Sequence, residues 1–105
     1  IHVYDLANIH IKCLNFFKNI NNFEIFNCGY GRGYSILDVA KNFKKLSNKK
    51  FLIIFKNKRN GDMKEVISSN VKLKKYIKWK PKFNNLNKMI LSTYTWHKYI
   101  NKKSI

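Results

Sequence analysis

Two short stretches hold the residues whose types and spacing could do chemistry. The first is FEIFNCGYGRGYSILDV at 23–39, where Gly29, Gly31 and Gly33 follow a β-prone run. Ser35 then opens an apolar-periodic segment, with Asp38 three residues on to close a capping box. Strand, glycine loop and helix in that order make a phosphate-binding loop, because glycines let backbone N–H groups approach an anion that the helix N-terminus also attracts. The spacing G-x-G-x-G is one residue short of the dinucleotide fingerprint, and Tyr30 and Arg32 crowd the loop, so a tight left-handed turn is the favoured reading. The second stretch is KNKRNGD at 56–62, just past an apolar run at 51–55, where open α/β sheets place their ligands; composition alone makes it a polar loop.

Beyond these the chain offers no nucleophile–base–acid set, no metal-ligand spacing and no carboxylate pair. Cys13 and Cys28 stand too far from a C-x-x-C pattern for zinc or a disulfide framework and read as small core residues. Asp5 and Asp38 read as helix caps, and Glu24 and Glu65 are isolated.

The elements that must position these residues follow from periodicity. Residues 1–4 read as a short strand, with Asp5 capping a helix whose stripe is Leu6, Ile9, His10, Cys13, Leu14 and Phe17. His10 on that stripe reads as a hydrogen-bonded core residue, and 19–22 break the helix. A strand at 23–28 leads into the glycine loop. Ile36, Val39, Ala40, Phe43 and Leu46 make a second amphipathic helix, with Lys41, Lys44 and Lys45 off the stripe. Residues 51–55, FLIIF, read as a strand buried on both faces. Ser68 or Ser69 caps a short helix carrying Leu73, Tyr76 and Ile77, which ends before Pro81. The last helix begins near Asn84 or Asn85, carries Leu86, Met89, Ile90, Thr93, Trp96 or His97, and Ile100, and frays from Asn101. The expected class is therefore α/β, short strands alternating with amphipathic helices.

With 105 residues, 45% hydrophobic and 15% aromatic, the chain makes one domain at most and has material for a core. No apolar run approaches the roughly 18 residues of a membrane span, so a soluble, cytoplasmic protein with no membrane partner is expected. The net charge of +17, from 22 Lys and Arg against 5 Asp and Glu, would ordinarily raise nucleic acid as a partner. Here the lysines are dispersed and accompanied by Asn and Ile, a bias of base composition, so solvated lysine faces and no nucleic acid are expected. The chain starts at Ile1 without Met inside a strand-like run, and is expected to be the end piece of something longer.

Five motifs in order then resemble the carboxyl-terminal part of the UDP-glucose 4-epimerases, extended members of the short-chain dehydrogenase/reductase superfamily. IHVYDLA at 1–7 resembles the family's IHVxDLA; FNCGYGRGYSILDV at 26–39 resembles YNLGxGxGYSVLxV; KRNGD at 58–62 resembles RREGD. IKWKPKF at 77–83 is similar to LGWKPxx, and TYTWHKY at 93–99 to the family's final aromatic helix. Lys58 replaces an Arg, Asn60 an acid and Lys78 a Gly.

The resemblance implies that residues 1–105 form a single incomplete substrate-binding domain, the amino-terminal Rossmann part being absent. NAD and the catalytic Tyr, Lys and Ser would belong to that missing part, and the glycine loop to the substrate half. The implied reaction is interconversion of UDP-glucose and UDP-galactose at C4 of the sugar, in an enzyme that is homodimeric when complete. The implied site residues are Arg59 on the pyrophosphate, Asp62 on the uridine ribose and Ile36 lining the pocket. Other readings weighed are another nucleotide-sugar enzyme such as a 4,6-dehydratase, and a small basic nucleic-acid-binding module.

Overall fold

The computed structural model describes residues 1–18 and 23–103. Four helices make up the regular structure among the described residues: α1 (Val3–Phe17), α2 (Ile36–Ser47), α3 (Val71–Ile77) and α4 (Leu86–Lys103). They fall into two compact units, one of Ile1–Gly33 with Glu65–Asn84, the other of Tyr34–Lys64 with Asn85–Ile105.

The strands expected at 1–4, 23–28 and 51–55 are absent, so the alternation of strands with helices is not borne out. A strand exists only through pairing, and no backbone ladder joins any described segments. Residues 1–4 instead start α1: His2 Nδ1 accepts from Tyr4 N at 3.1 Å and its carbonyl accepts from Leu6 N at 3.0 Å. The imidazole takes the cap position that the sequence suggested for Asp5, and Asp5 turns inward from the first turn.

In the first unit, α1 packs on α3 around Ile9, Leu73, Ile77 and Trp79, with Cys13, Phe16, Phe26, Cys28 and Tyr30 against them. The buried stripe of α1 is rotated from the expected one: Phe16 joins it, whereas Leu14 and His10 face outward. His10 satisfies its ring on the Leu6 carbonyl at 2.8 Å, hydrogen-bonded as expected but exposed rather than in the core. Both thiols are free and half-buried, and burial pushes each above the usual cysteine range.

Asp5 is the polar centre of this unit, 1% exposed. Its carboxylate accepts from the Tyr30 hydroxyl at 2.7 Å and from the backbone N–H groups of Lys82 and Phe83, each at 2.9 Å. One side chain thereby ties α1 to the glycine loop and to the segment after α3. Tyr30 also accepts from His2 N at 3.0 Å and stacks on Trp79, ring centroids 6.1 Å apart.

Neither Ser68 nor Ser69 caps α3. Its N-cap is Asn70, whose carbonyl accepts from Lys74 N while its amide donates to the Gly29 carbonyl at 2.8 Å. At the other end Lys78 holds φ +50°, the left-handed helix-end position that glycine fills most easily.

The second unit rests on α2 and α4. The capping box at Ser35 is complete: Ser35 Oγ accepts from Asp38 N at 3.0 Å, and Asp38 Oδ2 accepts from Ser35 N at 3.2 Å. The Ser35 hydroxyl also donates to that oxygen at 2.7 Å, and these bonds hold the Asp38 carboxyl below its usual range. Phe43 meets Tyr94 edge-on at 5.3 Å, Ile90 is buried, and Asn85 Oδ1 accepts from Lys88 N where α4 starts. His97 rather than Trp96 lies on the apolar side of α4; Trp96 is exposed and stacks on Tyr99. The break expected at 19–22 and the last two residues of the expected fraying tail lie outside the described residues.

Candidate functional site

The glycine loop is fitted to its own chain. A Cβ on Gly29 would come within 2.8 Å of the Ser68 Cβ, and one on Gly33 within 3.3 Å of the Ile67 side chain. Gly31, at φ +71°, lies over the Asn70 amide. The space that glycine opens for a phosphate in a dinucleotide loop is thus filled by residues 67–70, and Tyr30 between the glycines is committed to Asp5. The loop does not fit NAD; its glycines admit close packing of protein on protein.

The turn at 58–62 has the opposite character. Asp62 N donates to the Arg59 carbonyl at 3.2 Å, and Arg59 N donates to Asp62 Oδ2 at 3.0 Å, closing a four-residue turn. Gly61 supplies φ +87°, with nothing within 4 Å of where a Cβ would stand. Asp62 Oδ1 lies 3.5 Å from an Arg59 guanidinium nitrogen, a pair worth little because the Arg59 side chain is 87% exposed. The turn therefore presents a planar guanidinium and a carboxylate on one short arc. Arg59 can reorient onto phosphate oxygens, and Asp62 keeps acceptor capacity for hydroxyls beyond the bond it gives the backbone.

Of the three implied site residues, the hydrogen bonds and ion pair join Arg59 and Asp62. Ile36 is the first residue of α2 and 90% exposed, an apolar surface offered from a well-capped helix end. Sequence reading undervalued Asp5 and Tyr30, which position the glycine loop. An Asp in the first turn of a helix looks like dipole stabilisation, and its long-range partners at 30, 82 and 83 leave no local pattern.

An open groove of about 600 Å³ lies between α2 and α4 in the second unit, walled by Val39, Phe43, Met89, Ile90 and Tyr94 with His97 at its side. Its walls are apolar, unlike a nucleotide site. Among the described residues no three His, Cys, Asp or Glu side chains gather as a metal site, and no helix is long and apolar enough to cross a membrane.

No protein-family model matches the chain. Individual relatives do. The UDP-glucose 4-epimerase of Streptococcus mutans is 32% identical over 97 residues, covering 92% of this chain and 29% of its own length. That of Drosophila melanogaster is 36% identical over 98 residues and that of Bacillus subtilis 34% over 96, each covering 91% of this chain and 28% of the relative. The solved UDP-Glc/GlcNAc 4-epimerase of Campylobacter jejuni superposes with a TM-score of 0.85 at 33% identity, over 94% of this chain and 30% of that one. The chain spans less than a third of the length of these relatives. Matched along nearly all of its own length in sequence and in three dimensions, the chain is similar to a carboxyl-terminal segment of UDP-glucose 4-epimerases.

Proposed function

We propose that this chain is the UDP-holding, substrate-binding part of an enzyme that interconverts UDP-glucose and UDP-galactose. The observation that carries the reading is the turn at 59–62, which sets an exposed guanidinium and a carboxylate on either side of Gly61 in a segment matched to epimerases. Arg59 binds the pyrophosphate, Asp62 the ribose hydroxyls, and Ile36 lines the pocket. Residues 1–105 act as one incomplete domain whose task is positioning: holding the nucleotide fixed while the sugar turns lets binding energy remote from C4 retain the intermediate. NAD supplies the oxidation and reduction at C4 and is held by the part of the enzyme this chain does not match, in keeping with the filled glycine loop. The complete enzyme works in the cytoplasm as a homodimer, with neither membrane nor nucleic acid as a partner.

The test is UDP titration calorimetry on the complete enzyme carrying single substitutions. Arg59→Ala removes a charge-assisted, bidentate-capable bond worth about 1.5–3 kcal/mol, a loss of UDP affinity of roughly 10- to 150-fold. Lys56→Ala, also exposed in the same loop, costs under about 0.5 kcal/mol. Equal losses would reduce the loop to a diffuse positive field and remove Arg59 as the phosphate ligand.

A further inference from the structure

Cys13 and Cys28 are nucleophiles that the proposed function leaves unused, and both half-buried thiols pack against one core cluster, Ile9, Leu73, Ile77 and Trp79. Contacts on either side of them fix their places in the first unit. At one end the Phe16 ring meets the Phe26 ring edge-on, centroids 5.9 Å apart, and the Phe17 ring lies 6.4 Å from Phe26. At the other end the Tyr30 hydroxyl donates to Asp5 at 2.7 Å and accepts from His2 N at 3.0 Å. Residues 26–30 therefore run antiparallel along α1, and Cys28, midway between Phe26 and Tyr30, comes level with the middle of the stretch from Asp5 to Phe16. At about 1.5 Å per residue that level falls near His10 and Ile11, less than one helical turn from Cys13. Cys13 shares the inward stripe of α1 with Ile9 and Phe16, and Cys28 shares the inward side of its segment with Phe26. Cys28 Sγ gives the Phe26 carbonyl a long hydrogen bond of 3.8 Å, a weak tether. The sulfurs also sense each other: burial raises the Cys13 thiol, and negative charge on Cys28 raises it further.

We propose that Cys13 and Cys28 form a reversible dithiol, closed by low-molecular-weight disulfides such as oxidised glutathione into a bond that ties α1 to the start of the glycine loop. The Cys28 thiolate attacks one sulfur of the small disulfide, making a mixed disulfide and releasing one thiolate. Cys13 then loses its proton to solvent, attacks the Cys28 sulfur and releases the second. The protein gives up two electrons and two protons, and one small disulfide becomes two thiols. Burial slows the first step by keeping thiolate scarce, whereas the second is intramolecular and depends on how the fold holds the pair. Such a pair stays open in a reducing compartment and closes under sustained oxidation, fixing the loop that Tyr30 already anchors on Asp5. None of this depends on the UDP reading.

The experiment equilibrates the 105-residue chain in glutathione buffers of stepped ratio, quenches with acid, alkylates and weighs the products by mass spectrometry. The parent should pass directly from dithiol to a monomer lacking two hydrogens, its Cys13 and Cys28 peptides joined, with an effective thiol concentration above about 10 mM. Cys13→Ser and Cys28→Ser should each stop at the glutathione mixed disulfide. The oxidised parent should also unfold at a higher temperature than the reduced one, because the bond is made within the native packing. Mixed disulfides accumulating in the parent as in the variants, a cross-linked dimer, or an effective concentration below about 1 mM would each overturn the proposal. So would a joined product that unfolds at a lower temperature, since its bond would have formed only in the unfolded chain. The parent's peptide map and unfolding temperatures decide the matter even where a serine variant does not fold.

Discussion

Replacing Asp5 by alanine should cost the first unit about 3 kcal/mol. The carboxylate is 1% exposed and accepts three hydrogen bonds, from the Tyr30 hydroxyl and the N–H groups of Lys82 and Phe83. Removing it leaves three donors without their acceptor, at about 1–3 kcal/mol for each that stays buried. The donors belong to part-buried contacts that water can reach once the carboxylate is gone, so the low end of that range applies to each. Asp5→Asn keeps one acceptor oxygen but turns an amide NH₂ toward at least one of the donors, and should cost about 2 kcal/mol. Burial is the largest single influence on this carboxyl and pushes its pKa up; the Lys82 N–H, the Tyr30 hydroxyl, the Phe83 N–H and His2 together outweigh it, leaving the pKa below the ordinary 3.8. As pH falls the unfolded chain takes up the proton first, so the stabilisation is complete above the unfolded value and is lost as pH drops through the folded one. The assay is urea unfolding by circular dichroism for the parent, Asp5→Ala and Asp5→Asn at pH 7 and at steps below pH 4. The difference between parent and Asp5→Asn should shrink as the acid limb is entered. A loss under about 0.5 kcal/mol at pH 7, or a difference that grows on acidification, would refute Asp5 as the tie between α1, the glycine loop and 82–83.

Lys78→Gly should stabilise the chain by about 1 kcal/mol in the same unfolding assay, since Lys78 holds φ +50° at the end of α3 where a side chain is disfavoured; a loss of stability would mean that the lysine makes compensating contacts. Duplex or single-stranded oligonucleotides should bind weakly and with steep salt dependence, because the exposed lysines are dispersed over α2, α3, α4 and the loops. A submicromolar Kd persisting at about 200 mM salt, measured by fluorescence anisotropy, would show a true nucleic-acid site.

The helices α2 and α4 were legible in the sequence because each is specified locally. Ser35 and Asp38 complete a capping box within four residues, Asn85 caps α4, and the period of Val39, Phe43 and Leu46 is that of the face α2 turns to α4. The strands were not, for a physical reason rather than for want of pattern. Residues 23–26 and 51–54 have β-prone composition and alternate in exposure, yet a strand needs a partner, and these described segments find none. The first helix shows a different limit: His2 and Asp5 are both able to cap, and only the distant donors at 30, 82 and 83 decide that Asp5 goes inside.

At the site the same division runs between local and distant information. The spacing Arg59-x-Gly61-Asp62 already contains the turn: a carboxylate three residues after Arg59 that can reach back to its N–H, and a glycine where the backbone turns left-handed. What the spacing could not separate is a turn that binds a ligand from a turn that only closes itself, since Asp62 Oδ2 is spent on the backbone in either case. That ambiguity sets the informative substitution. Asp62→Asn retains an oxygen for the Arg59 N–H and removes the charge, so a structural role predicts a preserved turn and unchanged UDP binding. A ribose-binding role predicts a preserved turn with affinity lowered by about tenfold, the worth of one charge-assisted hydrogen bond near the low end of its range. Nuclear magnetic resonance of the Arg59 amide in the complete enzyme, with and without UDP, reports both halves. A lost turn in Asp62→Asn, or an Arg59 amide indifferent to saturating UDP, would mean that this arc does not face the nucleotide.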